Sequence, residues 1–373
     1  MRVGLIIYGS LETVSGGYLY DRKLVEHLQH SGDSVELISL PPRSYTACLG
    51  DNWDRRLLWQ LVELRCDVLL QDELNHPSLF RLNRDLHKFV TFPVVAIVHH
   101  LRCSETRPAW QNRLYRWVER RYLNSVDGFI FNSQTTRQAV AAVTGPTAAG
   151  KQERPAVVAY PAGDQFSGLL QFSTGPDDFI ARRAAEPGPL RIVFLGNLIR
   201  RKGLHSLLEA LARLPAQAAS LTIVGSLQSD PAYTAEIRQQ IARLGLEARA
   251  SLLGPLETGE LAALLTRQHV LAVPSSYEGY GIAYLEGMAA GLPAIGTTAG
   301  AAGEIITHDQ DGFLLPPEDP QGLAACLQTL AADRSRLASL GQAAYRRYQA
   351  QPTWEQSAAQ IRRFLTGLIE RQS

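Results

Sequence analysis

The chain has 373 residues, 45% of them hydrophobic and 20% charged, with a formal net charge of +1. That length accommodates two domains of ordinary size, and that composition describes a globular chain, not a disordered one. The charge balance excludes a protein that holds nucleic acid by bulk electrostatics. No apolar run reaches the ~18 residues of a membrane-spanning helix, and four scattered cysteines without a C-x-x-C pair give neither a disulfide framework nor a structural zinc.

In chain order, "MRVGLIIYGS" reads as a first strand entering a glycine turn, with no export signal, so a reduced, cytoplasmic chain is expected. Short apolar runs then alternate with longer amphipathic segments twice over. The first series is "RVGLIIYG", "SVELISL", "DVLLQ", "PVVAIVHH", "GFIFNS" and "AVVAYP". The second is "RIVFLGN", "SLTIVGS", "ASLLGP", "VLAVPSS", "PAIGTT" and "GFLLPP". Continuous apolar strands separated by helical segments predict parallel sheets covered on both faces. Between the series, "SGLLQFSTGPDDFIARRAAEPGPL" is rich in Gly, Pro and charge without a clear period, and reads as a linker. The expected architecture is therefore α/β: two facing, doubly wound, Rossmann-like domains with a cleft between them. Ligands of such sheets lie beyond the carboxyl ends of the strands, so each strand-to-helix loop is a candidate.

Four loops stand out. Gly16 and Gly17 lie where the first strand hands over to the first helix, either as a plain turn or as a place where backbone N–H groups approach an anion. His99 and His100 end a buried strand; adjacent side chains point to opposite faces, so at most one meets a ligand. Asp72, Glu73 and His76 follow another strand, as acceptor-binding groups or as caps, and sequence spacing supplies no third metal ligand near them. In "RIVFLGNLIRRKGLHSLLEAL", Arg200, Arg201 and Lys202 stand between a strand and a glycine-led helix, an arrangement suited to a diphosphate.

The fourth loop is "SSYEGYGIAYLEGMAAGLPAIG". Its helix begins near Gly281, where free N–H groups can hold a phosphate. Glu286 lies about 7 Å further along the axis, too far for the same phosphate but placed to accept two hydroxyls of a ribose. Glu278, in the loop before the helix, reaches hydroxyls on the other side of that phosphate. A capped helix with incidental acids would explain the helix but not the glycines around Glu278.

Together these residues resemble the retaining glycosyltransferases of family 4, which have the GT-B fold. The likeness rests on Glu278 and Glu286 in an E-x7-E element, followed by "GMAAGLPAIGTTAGAAGEII" and "DGFLLPPEDPQGLAACL". It is joined by "FLGNLIRRKG", the Gly16–Gly17 loop and "VVAYPAGDQF". It implies an N-terminal acceptor-side domain over residues 1–165, a linker over 166–189 and a donor-side domain over 190–352, with a C-terminal helix over 353–373 crossing back onto the first domain. It further implies that Glu286 binds the nucleotide ribose and Glu278 the transferred sugar. Amides near Gly281 and Ile282, beside Gly279 and Tyr280, would hold the diphosphate. Arg201 and Lys202 would neutralise the leaving phosphate, and His99, in preference to His100, would face the donor, with His100 on the acceptor side. Asn197 departs from the family pattern, which often has Arg there, and shifts more of that role to Arg201.

The resemblance implies a sugar moved from a UDP- or GDP-sugar to a hydroxyl of a glycan, glycolipid or small molecule, with no metal and no cofactor beyond that co-substrate. A nucleotide-sugar epimerase of the same fold and a silent nucleotide-sugar-binding module are the competing readings. Over residues 102–123, "RCSETRPAWQNRLYRWVERRYL" is Arg-rich with Trp110, Tyr115 and Trp117. It reads either as a peripheral contact with the inner face of a membrane or as a solvated helix whose aromatics pack inward, which the spacing of Leu114 and Trp117 suits.

Overall fold

The computed structural model describes residues 1–371 apart from 14, 106, 146–152, 167, 171, 173 and 174. It divides into two units: Met1–Pro161 with the chain from Trp354 onward, and Ala162–Thr353.

Unit 1 holds a six-stranded sheet of β1 (Arg2–Tyr8), β2 (Ser34–Leu40), β3 (Val68–Asp72), β4 (Val94–Val98), β5 (Gly128–Phe131) and β6 (Ala156–Val158), in the order β2-β1-β3-β4-β5-β6. Every neighbouring pair is parallel. The central strands β3 and β4 are buried at every position, as the unbroken apolar runs require when helices cover both faces. The helix Trp354–Glu370 buries Trp354, Ala358, Ile361, Leu365 and Leu368, a stripe at helical spacing. It packs on the helix Gly16–His30, where the rings of Trp354 and Tyr20 meet edge-on at 5.9 Å. Arg362 Nε donates to Asp33 at 2.7 Å.

Unit 2 repeats the design with β7 (Leu190–Leu195), β8 (Ala219–Val224), β9 (Ala250–Gly254), β10 (Val270–Ala272), β11 (Ala294–Thr297) and β12 (Gly312–Leu315), ordered β12-β11-β10-β7-β8-β9 and parallel throughout. Read outward from β7, this is the doubly wound dinucleotide-binding order. The segment expected as a linker contains a helix, Pro176–Ala185, that belongs to unit 2. Its Arg183 is buried and donates to the carbonyls of Ala290 at 2.8 Å and Gly291 at 2.7 Å. Those carbonyls close the helix Ile282–Ala289 and would otherwise lack partners.

Candidate active site

In unit 2 the strand order turns between β7 and β10, which are neighbours although β8 and β9 come between them in the chain. In doubly wound sheets, ligands bind beyond the carboxyl ends of the strands at such a turning point. After β7 comes a single 3-10 turn, Arg200–Lys202, closed by Gly203 at φ 72°. A side chain at Gly203 would overlap the carbonyl of Pro274, so glycine lets the two loops touch. The contact is sealed by Ser276 N–H donating to the Arg201 carbonyl at 2.8 Å.

That contact sets charges against each other. Lys202 Nζ donates to Glu278 Oε1 at 2.6 Å, and Ser275 Oγ donates to the same oxygen at 2.6 Å. Arg201 Nη1 lies 3.6 Å from Glu278 Oε2 and donates to the Tyr277 carbonyl at 2.6 Å. Glu278 is only 5% exposed. Burial by itself pushes its carboxyl up, but Lys202 and Arg201 outweigh burial and hold it down at about 2. Arg200 instead pairs with Glu236 and lies 5.4 Å over the Tyr233 ring. Gly300, at φ 82°, backs the Glu278 loop so closely that a side chain there would overlap the Glu278 carbonyl.

The helix Ile282–Ala289 follows directly, with Gly281 as its cap at φ 106°. A Cβ on Gly281 would stand 2.5 Å from the Tyr284 ring, whose hydroxyl donates to the Val273 carbonyl at 2.8 Å. The first N–H groups of this helix have no carbonyl ahead of them within it. Glu286 is half-buried one turn on and accepts from Gln165 Nε2. Burial pushes its carboxyl up to about 7, against the opposing pull of Gln165 and Lys202. Asn197 Oδ1 accepts from Ser226 N–H at 3.2 Å, tying the loop after β7 to the loop after β8. Gly279 is half-buried, while Tyr280 is buried and donates from its hydroxyl to Gln351 at 3.3 Å.

In unit 1 the order turns between β1 and β3. Ser15 caps the helix that Gly16 opens, accepting from Tyr18 N–H at 3.3 Å. A Cβ on Gly17 would lie 3.2 Å from His99 Cδ2, so the glycine turn and the imidazole are in close contact. His99 Nε2 lies 3.2 Å from Asp21 Oδ1. Burial draws the His99 pKa down, but Asp21, Asp72 and Glu73 together overcome it and push it up to about 9. His100 turns elsewhere, its Nε2 lying 3.0 Å from Glu105 Oε1.

Asp72 caps the turn after β3, while Glu73 and His76 lie against each other, with His76 Nδ1 3.0 Å from Glu73 Oε1. All three are 2% exposed or less. Asp72 accepts from Leu74 N–H at 2.9 Å, and His76 Nδ1 lies 2.9 Å from the Glu73 carbonyl. Burial pushes the Glu73 carboxyl well up and draws His76 down to about 4. The third partners that sequence spacing could not show come from distant helices. Asp21 joins Asp72 and His99, and Glu119 joins Glu73 and His76, each trio within 4.8 Å. The first is occupied by the His99–Asp21 pair; in the second, Glu119 accepts from the backbone N–H groups of Arg102 and Cys103.

The inward-packed reading of residues 102–123 holds for Tyr115, half-buried with its ring 4.5 Å from that of Tyr45, and is corrected for the rest. Trp110 is 66%, Trp117 49% and Leu114 39% exposed. The buried stripe of the helix Ala109–Leu123 is Val118, Glu119, Tyr122 and Leu123; Val118, Tyr122 and Leu123 pack in the core, and Glu119 among them accepts backbone N–H groups. Arg121 lies 4.0 Å over the Trp117 ring instead. No helix among the described residues is long and apolar enough to cross a membrane.

Asp21 and Gln165 escaped the sequence reading. Asp21 did leave a signal, as an acid on the stripe formed by Tyr20, Leu24 and Leu28 of an amphipathic helix. Gln165 left none.

Two family models match in tandem: "Glycosyl transferase 4-like domain" over residues 18–160 and "Glycosyl transferases group 1" over 177–347. The chain is 32% identical over 180 residues to a glycogen synthase of Mycobacterium tuberculosis, covering 48% of this chain and 42% of that one. It is 30% identical over 267 residues to a GDP-mannose-dependent alpha-(1-6)-phosphatidylinositol monomannoside mannosyltransferase of the same organism, covering 68% of this chain and 65% of that one. The chain thus spans less than two thirds of either relative. HepE of Anabaena, solved in complex with UDP and glucose, superposes with a TM-score of 0.74 at 22% identity, covering 98% of this chain and 99% of that one.

Proposed function

Because this chain belongs to the glycosyltransferases of family 4, with the GT-B fold, we propose that it moves a sugar from a nucleoside diphosphate sugar to an acceptor hydroxyl with retention at the anomeric carbon. The observation that carries the reading is the cluster of Arg201, Lys202 and Glu278 at the turning point of the unit 2 sheet, directly before a glycine-capped helix that carries Glu286. The diphosphate lies against Arg201, Lys202 and the N–H groups that follow Gly281. Glu286 accepts the ribose hydroxyls, and Glu278 accepts hydroxyls of the transferred sugar. HepE, solved with UDP and glucose, and the GDP-mannose-dependent relative frame the donor as a UDP- or GDP-sugar.

Chemistry follows from where charge grows. As the bond from the anomeric carbon to the diphosphate oxygen breaks, positive charge develops on the sugar ring and negative charge on the leaving phosphate. Arg201, Lys202 and the helix amides are fixed donors that stabilise the second charge without reorganising. The acceptor oxygen attacks from the face the diphosphate leaves, and its proton passes to the departing phosphate oxygen. Glu278 and Glu286 therefore act as hydroxyl acceptors, not as the acid and nucleophile of a hydrolase. The two cations carry the role that a divalent metal plays elsewhere, and the reaction needs none.

Incubation with UDP- and GDP-sugars, with and without a panel of glycan, glycolipid and small-molecule acceptors, tests the reading. Glycosylated acceptor and released nucleoside diphosphate in equal amounts are expected. Isomerised donor formed without acceptor would make the chain an epimerase, and nucleotide binding without any turnover would make it a binding module.

A peripheral membrane contact through residues 102–123 is part of the same proposal. Trp110, Leu114 and Trp117 face outward among exposed Arg113, Arg116, Arg120 and Arg121, a composition suited to an anionic bilayer. Co-sedimentation with anionic but not zwitterionic vesicles is expected, and it should be lost in Trp110→Ser/Trp117→Ser. Equal binding to both vesicle types would contradict it.

A further inference from the structure

The buried acid Asp21 has no place in the donor site just described, yet it is the hydrogen-bonding partner of His99. Asp21 is 0% exposed, and its Oδ1 lies 3.2 Å from His99 Nε2. Its Oδ2 has no hydrogen-bond partner among the described residues. The His99 ring is held on its other sides by Gly17 and by Tyr20, whose ring meets it edge-on at 5.2 Å. The His99 carbonyl is anchored by Asn132 Nδ2 at 2.8 Å. Position and orientation of the imidazole are thus fixed from several directions, and among the described residues no hydrogen bond uses Nδ1.

We propose that Asp21 is a positioning residue that holds His99 as an imidazolium with Nε2 turned inward, leaving Nδ1–H as the donor His99 offers to a phosphoryl or hydroxyl oxygen beside the Gly16–Gly17 turn. The proposal rests on the reading that His99 takes part in glycosyl transfer. A buried carboxylate without a cation is costly, and so is a buried imidazolium alone; each offsets part of the other's penalty. The groups facing His99 are Asp21 and Tyr20 from the helix after β1, and Asp72 and Glu73 from the end of β3 and the turn beyond it. Tyr18, whose hydroxyl donates to the Tyr8 carbonyl, stands near both aspartates. Asp21, Asp72 and Glu73 all favour the charged ring, and of the three Asp21 is the one hydrogen-bonded to it. A histidine paired in this way keeps both ring N–H donors to higher pH than an unpaired one.

The test is a titration of the histidine ring nitrogens by NMR in the full chain, with His99 assigned by loss of its signals in His99→Gln. In the wild type His99 should be doubly protonated at neutral pH and discharge only near pH 9, in keeping with the surrounding carboxylates. In Asp21→Asn, which keeps the shape of the side chain, its midpoint should fall to about 6.5 or lower. Turnover above that midpoint should drop about tenfold or more, recovering as pH is lowered, while nucleoside diphosphate affinity changes little. A neutral His99 at neutral pH in the wild type overturns the proposal without any variant, should Asp21→Asn fail to fold. An unmoved midpoint in Asp21→Asn overturns it too, as does broadening of the His99 signals by manganese that is lost in that variant, since a cation would then hold the site. A midpoint that moves while rate and pH profile stay fixed overturns the assignment of the pair to transfer. If the wild type transfers no sugar at all, the reading of the function fails and the nuclear titration still decides the pair.

Discussion

Lys202 Nζ donates to Glu278 Oε1 at 2.6 Å, so two residues assigned to different parts of a sugar nucleotide are partners of each other. Glu278 is held mainly by that contact, by Arg201 at 3.6 Å and by Ser275. Lys202→Met should destabilise the fold by about 2–3 kcal/mol, below the range for a fully uncompensated buried charge because Arg201 and Ser275 remain. Adding Glu278→Gln should return part of that loss. Denaturant unfolding of both single variants and the double variant measures the coupling; strictly additive losses would mean that the pair contributes nothing.

The same ion pair sets a pH dependence. The Glu278 carboxyl is held at about 2 in the fold, against an ordinary value of 4.5 in the open chain. An acid depressed on folding contributes stability that is complete above the open-chain value and is lost as pH falls towards the folded one. Melting temperature should therefore decline between about pH 5 and pH 2 more steeply in the wild type than in Glu278→Gln. Parallel declines would show that Glu278 is not charged against Lys202.

Gly300 and Gly303 lie on one short stretch and make unlike demands. A side chain at Gly300 would overlap the Glu278 carbonyl and would need a positive φ of 82°, whereas at Gly303 the nearest atom to a Cβ is 3.7 Å away. Gly300→Ala should displace the Glu278 loop, with loss of turnover and about 1–3 kcal/mol of stability. Gly303→Ala should leave both nearly unchanged. Equal behaviour of the two would mean that the Glu278 loop does not depend on the approach at Gly300.

Kinetics should separate three adjacent cations. Lys202→Ala should raise the barrier by about 2–4 kcal/mol, as for a preorganised charge contact that strengthens in the transition state, with donor KM moving less. Arg201→Ala should follow the same pattern. Arg200→Ala should not, because Arg200 is engaged with Glu236 at the surface. Activity should also survive EDTA. Equal losses at positions 200 and 201, or loss in EDTA restored by manganese, would move the phosphate contact to other groups.

The alternation of apolar runs and helical segments made both parallel sheets legible, because strands covered on both faces carry unbroken runs such as Val94–Val98. The loop carrying Glu278 was legible too, since its glycines and acids sit at offsets that a strand-to-helix turn explains. Partners were not. Asp21, Gln165 and Glu119 act through the tertiary fold, which local spacing does not encode. The helix Ala109–Leu123 misled for a related reason: the Leu114–Trp117 spacing fits an inward stripe, but the core takes Val118, Tyr122 and Leu123, and Glu119 beside them finds backbone N–H partners that spacing does not show. The helix Pro176–Ala185 was obscured by flanking glycine and proline, although Arg183 ties it to the carbonyls beyond the Glu286 helix.

Glu286 gives the most direct test of the donor site. It stands half-buried on the helix after Gly281, accepts from Gln165 and has its carboxyl pushed up to about 7, so the charged form that grips ribose hydroxyls develops as pH rises through neutrality. The deciding measurement is a calorimetric titration of UDP and GDP into the wild type and Glu286→Ala, slightly above neutral pH. The account predicts that one of the two nucleotides binds the wild type, and that the variant binds it about tenfold more weakly or worse, the loss of hydrogen bonds to a charged acceptor. The same affinity in both proteins would contradict it.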